Sequence, residues 1–135
     1  METIKIDNDI KILYITATSF PDGVMEAHQQ LHALVPDIAV RRSFGLSRPE
    51  NGGKIVYKAA AEEMLPGEAK KLKCDTMVIK KGNYACIIIN NYMNNVTAIG
   101  NAFQHLITLP DIDPQGYCVE WYLEKDVKCM VRLNE

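Results

Sequence analysis

Aromatic residues make up only 7% of the 135 residues, with a single tryptophan, so any place where they gather stands out. Neither sign of charge dominates: 15 Lys and Arg against 17 Asp and Glu leave a formal net charge of -2. That balance excludes the basic footprint of a free-standing nucleic-acid binder, and also the acidic, aromatic-poor character of a disordered tail. No apolar run approaches the roughly 20 residues needed to span a bilayer. The opening Met1-Glu-Thr-Ile-Lys-Ile lacks the charged and apolar regions of a secretory signal. Cys74, Cys86, Cys118 and Cys129 form no Cys-x-x-Cys pair, which removes zinc-ribbon and thioredoxin-like readings. Without an export signal they are expected as reduced thiols packed like small hydrophobes, in the cytoplasm.

The phosphate-cradling motifs Gly-x-x-x-x-Gly-Lys and Gly-x-Gly-x-x-Gly are absent, and Ser19, Ser43 and Ser47 lie in no nucleophile elbow. His28 and His32 share a helix face, but no His-Glu-x-x-His or further ligand accompanies them. They read as boundary histidines beside an apolar stripe, as does His105 on a later helix. No metal and no cofactor is expected.

What is present is a repeated order of elements. Ile4–Thr18 reads as strand with a break at Asp7-Asn8-Asp9, and Pro21-Asp22-Gly23 punctuates the chain. Val24, Ala27, Leu31, Leu34 and Val35 then fall three or four apart, an apolar helical stripe that ends near Pro36. Val40–Pro49 and Lys54–Ala61 flank Glu50-Asn51-Gly52-Gly53 as a hairpin. Residues 64–73, with a Pro-Gly pair and several lysines, read as a polar connector. The second half repeats this grammar. Thr76–Asn90 carries two strand-like runs around Lys81-Gly82-Asn83. Asn94 or Asn95 can cap a helix with apolar positions Val96, Ile99, Phe103, Leu106 and Ile107. Tyr117–Leu123 and Val127–Leu133 form a last hairpin.

The expected architecture is therefore α+β, one domain over 1–135, built from two strand–helix–hairpin modules at about 1–63 and 74–135. One helix can cover only one face of three strands, so the halves must bury surface against each other. Two antiparallel-rich sheets related by a pseudo-twofold axis would leave a central cleft between them, the natural ligand site.

Tyr117-Cys118-Val119-Glu120-Trp121-Tyr122-Leu123 is the informative segment. Alternation sends Val119, Trp121 and Leu123 to one face, suited to packing under a helix, and Cys118, Glu120 and Tyr122 to the other. A mid-strand glutamate among aromatics has two readings. Its face is simply wet, with Glu120 solvated or ion-paired. Alternatively, it is a desolvated carboxylate on a cleft floor, able to pair with a cation or act as a general base. Tyr14, Phe44, Tyr57 and Tyr92 are the aromatics that can join it.

These residues resemble the GyrI-like small-molecule-binding domain, also called the bacterial transcription-activator effector-binding domain. Lys80-Lys81-Gly82-Asn83-Tyr84-Ala85 is similar to its basic–Gly–x–Tyr–Ala strand entry, and Glu120-Trp121-Tyr122 to its Glu–x–Tyr strand. The resemblance implies a central cleft that receives amphipathic, often cationic ligands at Glu120. The resemblance assigns Glu120 and Tyr122 to ligand contact; with Tyr57, Phe44, Tyr92 and Cys118 added from the strand pattern, these six form the candidate ligand-binding set. It also implies a stand-alone member without a helix-turn-helix, hence no direct DNA contact, because strand signals begin by Ile4. Asp22-Gly23 departs from the family's Gly-Pro turn, and Lys70, Lys71 and Lys73 have no counterpart. Three functions follow from the resemblance. The first is an effector-binding protein for a small amphipathic molecule. The second is a hydrolase of strained cyclopropane compounds, with Glu120 as base and Tyr122 assisting. The third is a protein inhibitor of a macromolecule such as DNA gyrase, through a surface the sequence does not locate.

Overall fold

The computed structural model describes residues 1–50 and 52–134. Its strands are β1 (Glu2–Ile6), β2 (Ile10–Thr16), β3 (Ser43–Glu50), β4 (Lys54–Glu62), β5 (Asp75–Ile79), β6 (Gly82–Ile89), β7 (Cys118–Tyr122) and β8 (Val127–Arg132). The helices are α1 (Val24–Leu34), α2 (Glu68–Leu72) and α3 (Thr97–Leu106). The class is α+β, as the element order predicts. The Glu50–Gly53 turn includes Asn51, which lies outside the described residues, but the β3–β4 ladder reaches Glu50 and Lys54 as expected of a hairpin. The connector is not structureless, since α2 lies inside it and buries Ala69. Neither Asn94 nor Asn95 caps α3. Tyr92–Asn94 is a 3-10 turn, and the residue before the helix is Val96, without a side-chain cap.

The two expected sheets are in fact one. Eight antiparallel strands run in the order β1-β6-β8-β7-β3-β4-β2-β5. β3 and β7 join the halves, from Ser43 opposite Tyr122 to Ser47 opposite Cys118. The outer strands cross over, β1 pairing with β6 and β5 with β2. The physical reason is that a strand edge left beside another presents unpaired N–H and C=O groups, which pairing satisfies.

α1 and α3 lie on the same face of this sheet. α1 buries Ala27 and Leu31, with Val35 after it, against Leu13, Tyr57, Ala59 and Ala61. α3 buries Ala102 and Leu106 against Ala85, Val127, Cys129 and Val131. Leu34, Val96 and Ile107, predicted within the stripes, are exposed. The opposite face buries Ile12, Phe44, Leu46, Cys86, Val119 and Met130 in a cluster to which no helix contributes among the described residues. A sheet face can do this without a helix only by curling so that its strands cover one another. This reverses the facing expected for β7: Val119 and Trp121 line the curl, whereas Cys118 and Tyr122 pack with α3. Residue size accounts for it. The small Ala59, Ala61 and Ala85 admit helices closely, and the bulky Phe44, Leu46 and Trp121 fill the wider space inside the curl.

One ion pair ties α2 to the first half. The Arg41 guanidinium meets Glu68 in a bidentate contact at 2.6 and 2.5 Å, and also donates to the carbonyls of Pro36 and Glu62. The side chains are 3% and 11% exposed. The Arg41 hydrogen bonds hold the Glu68 carboxyl down to about 2, against the opposing effect of burial.

Candidate functional site

Glu120 lies in the middle of β7, opposite Gly45 on β3 and Cys129 on β8, on the helix-bearing face near the seam between the halves. It is 8% exposed. The Tyr122 hydroxyl, two residues along the same face, donates to Glu120 Oε1. The Tyr57 hydroxyl donates to the same oxygen at 3.1 Å and lies 3.2 Å from the Tyr122 hydroxyl. Tyr57 comes from β4, two strands away, and its ring passes over Gly45. A Cβ at position 45 would stand 2.0 Å from the Tyr57 hydroxyl oxygen and 3.0 Å from Glu120 Oε1. Gly45 is therefore required by close approach rather than by backbone conformation.

His28 on α1 completes the cluster. Its Nε2 is 2.8 Å from the Tyr57 hydroxyl, and its ring meets those of Tyr57 and Tyr122 edge-on at 5.7 and 5.4 Å. Burial, helped by neighbouring His32, lowers its pKa to about 4, so the imidazole is neutral near pH 7. With Tyr57 donating to Glu120, the consistent tautomer places the His28 proton on Nε2, giving a relay His28→Tyr57→Glu120←Tyr122. Phe20 stacks on Tyr57 at 6.0 Å, and Tyr92 meets Tyr122 at 5.4 Å.

Burial dominates the electrostatics. It raises the Glu120 pKa, although the Tyr122 and Tyr57 hydrogen bonds pull the other way. It also raises both tyrosines far above their ordinary range, with the Glu120 charge adding to the effect. Cys118 is pushed up to about 11, first by burial and then by Glu120. Among the described residues no lysine, arginine or histidine forms an ion pair with Glu120. Nor do three or more His, Cys, Asp or Glu side chains converge there into a metal-ligand set.

Glu120, Tyr122, Tyr57, Tyr92 and Cys118 thus lie on the helix-bearing side of the sheet. Phe44 does not join them. It is fully buried inside the curl, 5.6 Å from Trp121, because alternation along β3 sends Ser43, Gly45 and Ser47 to the glutamate's face and Phe44 to the other. Tyr14 is on Phe44's side as well. Reading the histidines as boundary residues misses His28. The available signal was its place beside Ala27, where one edge of the α1 stripe turns toward the second half. Phe20 carried no signal, since the segment before α1 has no periodicity.

No protein-family model and no curated protein matches the chain. Solved structures do. SAV2435 bound to tetraphenylphosphonium superposes with a TM-score of 0.69 at 12% identity, over 97% of this chain and 93% of that one. An integron cassette protein from the mobile metagenome of Vibrio cholerae gives 0.73 at 13%, over 98% and 95%. A Staphylococcus aureus MU50 protein assigned to bacterial transcription regulation gives 0.65 at 10%, over 99% and 97%. At such identities the likeness is one of fold, and it is consistent with the resemblance to the GyrI-like small-molecule-binding domain.

Proposed function

We propose that the chain binds small aromatic or amphipathic cations over Glu120, between the two halves. The observation that carries this reading is a buried carboxylate whose partners among the described residues are hydroxyl groups. A carboxylate removed from water is costly unless a positive charge accompanies it. A bound cation supplies that charge, and the faces of Tyr57, Tyr122, Tyr92 and Phe20 add cation–π attraction and apolar contact. The superposition with a protein solved with tetraphenylphosphonium supports the same ligand class. The palindromic strand order supports two pseudo-twofold modules, 1–63 and 74–135, with Glu120 near their seam. Four free thiols are in keeping with a reducing, cytoplasmic setting.

Thermal unfolding with tetraphenylphosphonium tests the proposal. A ligand at 100 times its dissociation constant adds about 2.7 kcal/mol, a shift of several degrees. The shift should appear in the wild type and vanish in Glu120→Gln. An equal shift in both proteins overturns the reading.

The relay itself favours a second reading, hydrolysis, and a hydrolase from Listeria innocua superposes with a TM-score of 0.51 at 12% identity, over 98% of this chain and 90% of that one. Glu120, with its raised pKa, would take a proton from water while Tyr122 or Tyr57 donates to the leaving atom. A neutral cyclopropane-bearing substrate separates the two readings. Glu120→Gln should still bind it, and only the wild type should consume it.

A further inference from the structure

We infer that the helix-free face of the sheet holds a second binding site, for a small carboxylate with an apolar body. A cavity of about 270 Å³ opens there, just below the range of about 300–1,000 Å³ typical of drug-sized ligands and so suited to a smaller one. Leu46, Ile79 and Val119 from the interior of the curl form its floor, and Arg48, Lys80, Arg132 and Asp113 its polar side.

Each arginine is held by a backbone carbonyl and has one carboxylate at 3.4–3.6 Å, a long contact that leaves other guanidinium donors free. Arg48 lies 4.1 Å from the Tyr117 ring centre, and its Nη1 donates to the Gln115 carbonyl at 2.9 Å. Its nearest carboxylate, Glu50, stands 3.6 Å from Nε and is shared with Lys58 at 3.5 Å. Glu50 Oε2 is buried and makes no hydrogen bond, so this contact is electrostatic and leaves the guanidinium donors unsaturated. Arg132 donates Nε to the Lys81 carbonyl at 3.0 Å, and its Nη1 forms a long ion pair with Asp113 at 3.4 Å. Backbone carbonyls orient a guanidinium but do not cancel its charge. Counting Lys58 and Glu50 with the lining residues, four cations face two carboxylates, a surplus of two positive charges.

Such a rim over an apolar floor matches a ligand with one anionic head and a hydrocarbon or aryl body. A carboxylate can bridge the two guanidinium groups with charge-assisted hydrogen bonds while its body covers Leu46 and Val119. A neutral amphiphile would meet the same floor but leave the surplus charge unanswered. Val119 and Glu120 are neighbours on β7, so this site and the glutamate site would lie back to back through one sheet, with opposite charge preference. The inference is independent of the Glu120 reading.

The test is calorimetric titration of the full chain with octanoate, and with octanol as the neutral isostere. Octanoate should bind about tenfold or more tightly than octanol, as charge-assisted bonds require. Lys80 is exposed, so Lys80→Gln leaves the fold intact. It should weaken octanoate about two- to fivefold, and Arg132→Gln about tenfold, with octanol unchanged in both. Glu120→Gln should leave octanoate unaffected. Replacing octanoate by 1-naphthoate distinguishes an aliphatic from an aromatic body. Equal binding of octanoate and octanol, indifference to Lys80→Gln, or loss in Glu120→Gln overturns the inference.

Discussion

Glu68 and Glu120 are both largely removed from water, and the contrast between them separates a structural carboxylate from a functional one. Glu68 meets a guanidinium in a bidentate contact and stays ionised far below the ordinary carboxylate range. Among the described residues Glu120 meets tyrosine hydroxyls and no cation, and burial moves it the other way. The opposite pKa shifts follow from two differences together: Glu120 is the more deeply enclosed, and only Glu68 has a countercharge supplied by the chain. Where the chain supplies one, the carboxylate joins two segments of the fold. Where it does not, the charge is left for something outside the chain to answer.

The largest effect is expected at the paired carboxylate. Arg41→Met should destabilise by about 3–5 kcal/mol in urea unfolding, because Glu68 is left charged and buried. Adding Glu68→Leu should recover most of that loss. If the double variant is no better than the single one, Arg41 acts through its bonds to the Pro36 and Glu62 carbonyls instead. In the native protein the Glu68 contribution is present above the unfolded carboxylate value of about 4.3 and lost as pH falls toward about 2. An acid titration of stability should lose this component in the double variant.

Next in size is Gly45→Ala. The new methyl collides with the Tyr57 hydroxyl, and displacing that ring should cost about 1–3 kcal/mol. The tyrosine environment seen by near-ultraviolet circular dichroism should change with it, while the strand signal in the far ultraviolet stays.

Glu120→Gln should contrast with Arg41→Met: a stability change within about 1 kcal/mol, in either direction. The informative readout is pH. A carboxyl whose folded pKa is raised gives stability that is full below about 4.3 and lost as pH rises through the folded value. Wild-type stability should therefore decline across that window, and the glutamine variant should lack this component. Cation affinity should rise over the same window, because binding needs the ionised form. Opposite pH trends for stability and affinity in one protein would be hard to obtain from a solvated glutamate.

Phe20→Ala should have a comparably small effect on stability, about 0.5–1 kcal/mol for the lost stack on Tyr57, at a residue that is 44% exposed. If Phe20 shields the site, the variant should take up tetraphenylphosphonium faster in a stopped-flow measurement. If Phe20 is part of the binding surface, the dissociation rate should increase instead.

Much of this organisation is legible in local pattern. The order of the strands, the α1 positions Ala27, Leu31 and Val35, and the placing of Glu120 and Tyr122 on one face follow from periodicity, whereas the strand expected from Val40 begins only at Ser43, after a 3-10 turn. The alternation of β3 likewise separates Phe44 from Gly45. Deciding which of them faces Glu120 requires the pairing of β3 with β7, which no local pattern states. The start of α3 departs from the local pattern for a related reason: Tyr92–Asn94 is held in its turn partly by the Tyr92 amide bonding to the Lys125 carbonyl, a contact between distant segments.

What the sequence determined by itself is the set of amphipathic elements, their order, and the anomaly of a glutamate inside an aromatic strand. Only the tertiary structure decided that the two halves share one sheet, that helices cover the glutamate's face, and that Tyr57, 63 residues away, bonds Glu120. Periodicity fixes which side chains share a face. Which face is covered depends on how small residues such as Ala59 and Gly45 let other elements approach, and that is settled only when distant strands pair.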